Sequence, residues 1–108
     1  MRNRCWLRII LNDLKSALPD CDTALNYSPS DSGALSTRGF AYLRLNRAGE
    51  AILAYDAALQ SDPKNARALY GRGIAKRVVG DSSTEADLAA AKALEPNVAD
   101  DLAKYGFK

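Results

Sequence analysis

The stretch GFAYLRLNRAGEAILAYDAAL, residues 39–59, contains two apolar stripes with helical spacing. In the first stripe Gly39, Tyr42 and Leu45 recur at every third position, which is typical of one face of an α-helix. A second stripe runs from Ala51 to Leu59. Because only the short segment NRAG separates the stripes, the two predicted helices must lie antiparallel.

This pattern recurs along the chain. Three X-Pro pairs end at Pro29, Pro63 and Pro96. Successive pairs are about 34 residues apart, an interval within the range of helical repeats. The segment NDLKSALPDCDTALNYSP aligns without a gap with NRAGEAILAYDAALQSDP, and ALYGRGIAKRVVGD aligns with ALSTRGFAYLRLNR. Proline removes a backbone donor and disfavours helical backbone at the preceding residue, so each pair of helices should end there. The sequence predicts an all-α chain of three helix pairs.

Two glycines at equivalent positions indicate close helix packing. Gly39 and Gly73 both lie within predicted helices and occupy the same place in successive units. A glycine inside a helix costs about 1 kcal/mol relative to alanine. We therefore expect that close approach of a neighbouring helix offsets this cost at both positions.

The recurrence resembles the tetratricopeptide repeat family, whose unit is a helix–turn–helix of about 34 residues. The middle unit matches the family pattern at Leu35, Gly39, Tyr42, Ala51, Tyr55, Ala58 and Pro63. The other units depart from it: Lys76 replaces an aromatic residue, Cys5 replaces a glycine and Cys21 replaces a second aromatic residue. The chain resembles the C-terminal repeats of bacterial proteins in this family.

The resemblance implies a right-handed helical solenoid of three antiparallel helix pairs plus a C-terminal capping helix. Repeat 1 should span about 1–31 and be truncated at its start, repeat 2 about 32–65 and repeat 3 about 66–96. The capping helix should span about 97–105, with Val98, Leu102 and Tyr105 on its apolar side. Such a helix covers the exposed face of the last repeat.

The resemblance also implies a function. The first helix of each pair lines a concave groove in this family, so the chain should be a non-catalytic module that binds a peptide or protein segment. The residues placed in the groove are Ser36, Phe40, Leu43, Arg44, Arg67, Tyr70, Ile74 and Arg77. Arginine pairs with carboxylates and aromatic rings bury apolar side chains, so we expect a partner with acidic and apolar groups. Ser36 and Phe40 stand where family members that clamp chaperone tails have lysine and asparagine, which argues against that role.

The first repeat suggests an alternative. Its opening helix crowds several large apolar residues together, and Trp6, Ile9 and Ile10 are the candidates for self-association. An uncovered apolar face marks an interaction surface or a missing neighbour. The chain would then be a homodimer through its first repeat, or the terminal part of a longer array.

Composition argues against several other functions. The 108 residues include no histidine and have a net charge of only +2. We therefore expect no enzyme, no metal site, no cofactor and no nucleic-acid partner. No apolar run approaches membrane-spanning length, and the opening MRNRCWLRIIL is interrupted by Arg8 and lacks a cleavage site, which argues against a signal peptide. We expect a cytoplasmic protein, with the periplasm as the alternative.

The two cysteines allow two states. Cys5 and Cys21 lie on the two predicted helices of the first unit, at positions that face each other in the family pattern. We expect two buried thiols that act as small apolar side chains. The alternative is a disulfide, which requires the Cα atoms to lie within about 7 Å.

Overall fold

The computed structural model of the chain describes residues 2–11 and 13–103. This part of the chain is helical, without strands. Its helices are α1 (Arg2–Ile10), α2 (Leu14–Tyr27), α3 (Ser32–Arg44), α4 (Ala48–Ser61), α5 (Ala66–Val79), α6 (Thr84–Leu94) and α7 (Val98–Ala103).

Consecutive helices pack in pairs. Helix α1 packs against α2, α3 against α4, and α5 against α6, while α7 contacts α5 and α6. Neighbouring pairs meet where α2 contacts α3 and α4 contacts α5, and α3 also touches both α1 and α5. The predicted all-α fold of three helix pairs and a terminal helix is confirmed.

Polar caps fix the starts of the second and third pairs. The carboxylate of Asp31 accepts a hydrogen bond from the Ala34 amide at 3.1 Å, and the Asn65 side chain accepts one from Ala68 at 3.0 Å. These side chains satisfy amides that have no partner within the helix. Asn65 also donates to the hydroxyl of Ser32 at 2.8 Å, so the cap of α5 is linked to the first residue of α3.

Small residues create space for one tyrosine at the centre of the fold. The ring of Tyr55 is 1 % exposed and lies between α3 and α5. A Cβ atom added at Gly39 would lie 2.8 Å from its Cζ atom, and one added at Gly71 only 2.3 Å from it. A Cβ atom added at Gly73 would lie 2.7 Å from Cδ2 of Leu88. The close packing expected at Gly39 and Gly73 is present, and Gly71 contributes a third contact that the sequence analysis missed.

The last helix covers the end of the third pair. Val98, its first residue, is fully buried and belongs to the apolar cluster that includes Leu69, Tyr70 and Leu88. Helix α7 is described as far as Ala103. The predicted contribution of Tyr105 lies outside the described residues.

The two cysteines form a disulfide, so the expectation of two free thiols is wrong. The sulfurs of Cys5 and Cys21 are bonded, with the Cα atoms 5.1 Å apart. The antiparallel packing of α1 and α2 brings these positions face to face, and both residues are fully buried. Arg8 on α1 also pairs with Asp20 on α2. The short first helix is thus attached to the second by a covalent bond and an ion pair.

Candidate functional site

Helix α3 has two opposite faces with different neighbours. Residues 36, 40 and 44 recur at every fourth position on one side, and residues 35, 38 and 42 lie on the other. The first side faces α1, because the Phe40 ring lies 5.5 Å from the ring of Trp6. The second side faces α2 and α4, since Arg38 pairs with Asp22 on α2. We call the first side the inner face and the second the outer face.

The inner face carries two rings flanked by two arginines. The Trp6 ring of α1 is tilted by 41° against Phe40 of α3. The guanidinium carbon of Arg67, on α5, lies 5.6 Å from the centre of Trp6, and that of Arg44 lies 5.9 Å from the centre of Phe40. A guanidinium at this distance from a ring is stabilised by about 0.5–1 kcal/mol at an exposed site. Three helices therefore contribute to one row, in which two adjacent rings have an arginine at each end.

Three of the predicted groove residues are buried, contrary to expectation. Phe40 is 3 % exposed and Tyr70 is 8 % exposed. Both belong to the apolar cluster between the helices, with Ile9 and Val98, because α1 and α7 close over positions that an open groove would expose. Ser36 is also buried. These three residues shape the inner face from beneath and offer a ligand little surface.

The other predicted groove residues remain at the surface to different degrees. Leu43 and Ile74 are half-buried against the apolar cluster, and Arg44 is also half-buried. Arg67 and Arg77, at the two ends of α5, are exposed. Among the described residues, no carboxylate forms an ion pair with Arg67 or Arg77. The inner face is therefore cationic, with partly covered apolar side chains beside the arginines.

The candidates for self-association are mostly unsuitable. Ile9 is fully buried inside the chain, so its proposed role between two copies is wrong. Trp6 is half-buried against Phe40, and the side chain of Ile10 lies outside the described residues. The exposed apolar residues of this segment are Leu7 and Leu11, at 55 % and 69 %. The disulfide holds the side of α1 that carries Cys5 and Ile9 against α2. Leu7 and Leu11, and not Ile9, are therefore the apolar residues of this segment that face outwards.

Comparison with protein families supports the interpretation of the repeat. The family model for the tetratricopeptide repeat matches residues 32–65, which contain α3 and α4. The chain contains a tetratricopeptide repeat. No curated protein matches its sequence. Tetratricopeptide repeats are in general non-catalytic modules for protein–protein interaction, and their partners are proteins or peptides.

The outer face of the protein carries ion pairs that the sequence analysis missed. Arg38 pairs with Asp22 at 3.3 Å, and Arg72 pairs with Asp56 at 2.9 Å. The two arginines are one repeat length apart, as are the two aspartates, so the alignment of the repeats contained this signal. Arg72 also binds Asp87, which is 6 % exposed.

The pKa values of two buried groups, Asp87 and Tyr55, are shifted in directions that follow from their surroundings. Burial by itself raises the pKa of the Asp87 carboxyl, but hydrogen bonds from Arg72 and Lys76 outweigh it, so that pKa is lowered. Lys76, which stands where the family has an aromatic residue, thus neutralises a buried carboxylate at 3.0 Å. Burial raises the pKa of Tyr55 well above its ordinary value, and its hydroxyl has no hydrogen-bond partner among the described residues.

Neither face resembles a metal site. In residues 2–11 and 13–103, no group of three or more cysteine, aspartate or glutamate side chains is arranged to hold a metal ion. The same ranges contain no helix that is both long and apolar enough to cross a membrane.

Proposed function

We propose that this protein binds a peptide segment with acidic and apolar side chains across its inner face. The observation that carries the proposal is the row formed by Arg67, Trp6, Phe40 and Arg44. Guanidinium groups held by ring contacts are preorganised, so they lose less side-chain freedom when they bind a carboxylate.

Charge and exposure assign different roles to these residues. Arg67 is exposed and Trp6 half-buried, so both can contact a ligand directly. Phe40 is buried and supports the Trp6 ring from below. Aromatic and arginine residues are enriched among the positions that dominate binding energy. Leu43 and Ile74 extend the apolar part of the surface, and Arg77 adds a cation at the other end of α5.

The fluorescence of Trp6 can report peptide binding, because Trp6 is the sole tryptophan of the chain. Its fluorescence is followed while the protein is titrated with an acetylated, amidated peptide of alternating glutamate and leucine. Peptides with glutamine or lysine in place of glutamate serve as the neutral and cationic probes. We expect binding to weaken from the glutamate peptide to the glutamine peptide, and the lysine peptide to leave the emission unchanged.

Substitutions on the protein test which residues carry the charge recognition. Arg67→Gln and Arg44→Gln should each lower the affinity for the glutamate peptide at least several-fold, because a charge-assisted hydrogen bond contributes about 1.5–3 kcal/mol. Lys92→Gln removes the same charge at an exposed position of α6 and should bind like the native protein. Equal affinity of all three variants, or tighter binding of the lysine peptide, would refute the inner face as the binding site.

A second candidate is self-association through the first repeat. The observation in its favour is the pair of exposed leucines on and just after α1, Leu7 and Leu11, which lie one helical turn apart. Two copies that pair through these side chains would bury both. Sedimentation velocity at micromolar concentration should then detect a dimer that Leu7→Glu converts to a monomer. A native protein that sediments as a monomer at every concentration removes this candidate.

A further inference from the structure

The third repeat contains a complete carboxylate site on the outer face. Arg72 donates through Nε and Nη2 to the two oxygens of Asp87, at 2.9 and 2.8 Å. Its Nη1 donates to Asp56 at 2.9 Å, and Lys76 lies 3.0 Å from Asp87. One edge of the guanidinium therefore binds a carboxylate in the bidentate geometry that arginine favours. The other edge binds the preceding repeat.

The second repeat has the same frame without that carboxylate. Gly39 lies against Tyr55 as Gly73 lies against Leu88, so Tyr55 and Leu88 occupy equivalent places on α4 and α6. The residue before each is Ala54 in the second repeat and Asp87 in the third. Alanine thus stands where the third repeat has the carboxylate that binds its arginine.

The equivalent arginine is incompletely satisfied. Arg38 pairs through Nη1 with Asp22 at 3.3 Å, as Arg72 does with Asp56. Its Nη2 donates to the Tyr42 hydroxyl at 3.2 Å, and its Nε is buried without a hydrogen-bond partner among the described residues. The guanidinium edge that binds Asp87 in the third repeat has no carboxylate here. A buried donor without a partner costs about 1–3 kcal/mol.

A cavity opens beside Arg38. It has a volume of about 270 Å³. Its lining residues are Leu35, Arg38, Tyr42, Glu50, Leu53 and Ala54. Leu53 is 69 % exposed, so one wall of the cavity is apolar and accessible. The cavity therefore combines an arginine whose Nε lacks a hydrogen-bond partner among the described residues with an apolar wall.

The other charges at the rim are compatible with a carboxylate. Glu50 binds both Nε and Nη2 of Arg47, at 2.6 and 2.7 Å, so its charge is neutralised within the rim. The Arg47 guanidinium lies 5.1 Å from the centre of the Tyr42 ring. Since Tyr42 occupies the position of Lys76, the Arg47–Glu50 pair lies near the place where the third repeat has its lysine, and this pair carries no net charge. Asp22 binds the opposite edge of Arg38.

We propose that the outer-face cavity of the second repeat binds an aspartate side chain, flanked by leucine, from an exposed segment of a partner protein. The aspartate takes the place that Asp87 occupies in the third repeat and receives hydrogen bonds from the Nε and Nη2 atoms of Arg38. To admit it, the Tyr42 hydroxyl moves from Nη2. The neighbouring leucine packs against Leu35 and Leu53. This site lies on the side of α3 opposite to the inner face.

Two peptides test the carboxylate directly. The native protein is titrated with acetyl-Leu-Asp-Leu-amide and with acetyl-Leu-Asn-Leu-amide while its arginine Nε and backbone ¹H–¹⁵N resonances are followed. We expect the aspartate peptide to shift the Arg38 Nε resonance and to bind at least tenfold more tightly, a difference of about 1.4 kcal/mol. Equal affinity for both peptides would overturn the proposal. So would acetate alone binding as tightly as the peptide, because that would indicate an anion site without peptide recognition.

Two arginines of α3 separate this site from the inner face. Arg38→Gln should lower the affinity for the aspartate peptide at least tenfold. Arg44→Gln removes the same charge from the opposite face and should leave the affinity for this peptide unchanged. The glutamate–leucine peptide used for the inner face should respond to Arg44→Gln. Loss of binding of the aspartate peptide in Arg44→Gln alone would place its site on the inner face and overturn the proposal.

An internal carboxylate provides a test without a ligand. Ala54→Asp should restore the pairing seen in the third repeat, while Ala54→Asn adds a side chain of similar size without charge. We expect the aspartate variant to be more stable than the asparagine variant at pH 7, with the difference lost as the pH falls through the pKa of the new carboxyl. If Ala54→Asp is less stable than Ala54→Asn at pH 7, Arg38 does not bind a carboxylate beside position 54.

Discussion

Substituting Gly71 by alanine should destabilise the protein strongly, although alanine is the better helix former. The added Cβ would lie 2.3 Å from Cζ and 2.4 Å from the hydroxyl oxygen of Tyr55. Non-bonded carbons approach to about 3.5 Å, so the ring would have to withdraw by about 1.2 Å. It cannot do so easily, because Gly39 lies against the same ring and Tyr55 is 1 % exposed.

The expected magnitude follows from two opposing contributions. Overpacking of a close-packed core costs about 1–3 kcal/mol, and more where the neighbour cannot move. The helix propensity of alanine returns about 1 kcal/mol. Because the clash at Gly71 is severe, we expect a net loss of about 2 kcal/mol, which corresponds to a fall in Tm of roughly 10 °C for a domain of this size.

A second glycine provides the matched control. Gly49 lies in α4, and a Cβ atom added there would meet nothing within 4 Å. Gly49→Ala should therefore keep Tm or raise it, with a gain of up to about 1 kcal/mol. Urea unfolding followed by circular dichroism measures the free energy of unfolding for both variants. The same substitution should thus have opposite effects on stability at two helical positions.

A double-mutant cycle identifies the cause. In a Tyr55→Leu background the ring is absent, so adding Gly71→Ala should cost much less than it does in the native protein. If Gly71→Ala proves as stable as the native protein, or if its cost is unchanged in the Tyr55→Leu background, then Tyr55 does not occupy the space between α3 and α5, and this packing is wrong.

Three further predictions concern buried groups. Tyr55→Phe should leave the free energy of unfolding unchanged or raise it by up to about 1 kcal/mol, because it removes a buried hydroxyl without a partner among the described residues; a loss above that amount in urea unfolding would show that the hydroxyl is hydrogen-bonded. Asp87→Asn should lower stability at pH 7 and flatten its pH dependence. The pKa of Asp87 in the folded protein is lowered from 3.8. Its contribution to stability is therefore complete above about pH 5 and is lost as the pH falls through the pKa of the folded state. An Asp87→Asn variant whose stability depends on pH as that of the native protein does would contradict this. Replacing both Cys5 and Cys21 by serine should cost about 3 kcal/mol, the value for a loop of about 15 residues, whereas a dithiol reductant should leave the variant's stability unchanged; a native protein that is insensitive to the same reductant in urea would argue against the disulfide.

Much of the fold could be predicted from the sequence because its determinants are local. The prolines at 29, 63 and 96 end helix pairs by removing backbone donors, and their regular recurrence reveals one unit used three times. The caps at Asp31 and Asn65 are likewise local, since each side chain binds an amide within the next turn of the chain. Features of this kind depend on near neighbours in the chain, and sequence analysis can detect them.

The candidate sites depended on contacts between repeats. Helical periodicity places Phe40 and Tyr70 on a face of their helices, but it does not reveal that α1 and α7 cover them. In the same way, alignment pairs Arg38 with Arg72. Only the packing shows that Asp87 binds Arg72, and that Arg38 lies with Ala54 beside a cavity. The altered length of the third repeat hid this correspondence. Gly39 and Gly73 are 34 positions apart, whereas the residues that pack on them, Tyr55 and Leu88, are only 33 apart.

The helices, their pairing and the repeat family could be predicted from the order of residues alone, because the hydrogen bonds and apolar stripes of a helix are set within a few turns of chain. The packing of the helices was needed to reveal which stripes are exposed, that Cys5 meets Cys21, and that the Nε atom of Arg38 has no hydrogen-bond partner among the described residues. Burial and charge pairing are properties of surfaces that come together from different repeats. Small differences in helix length between repeats change which side chains meet.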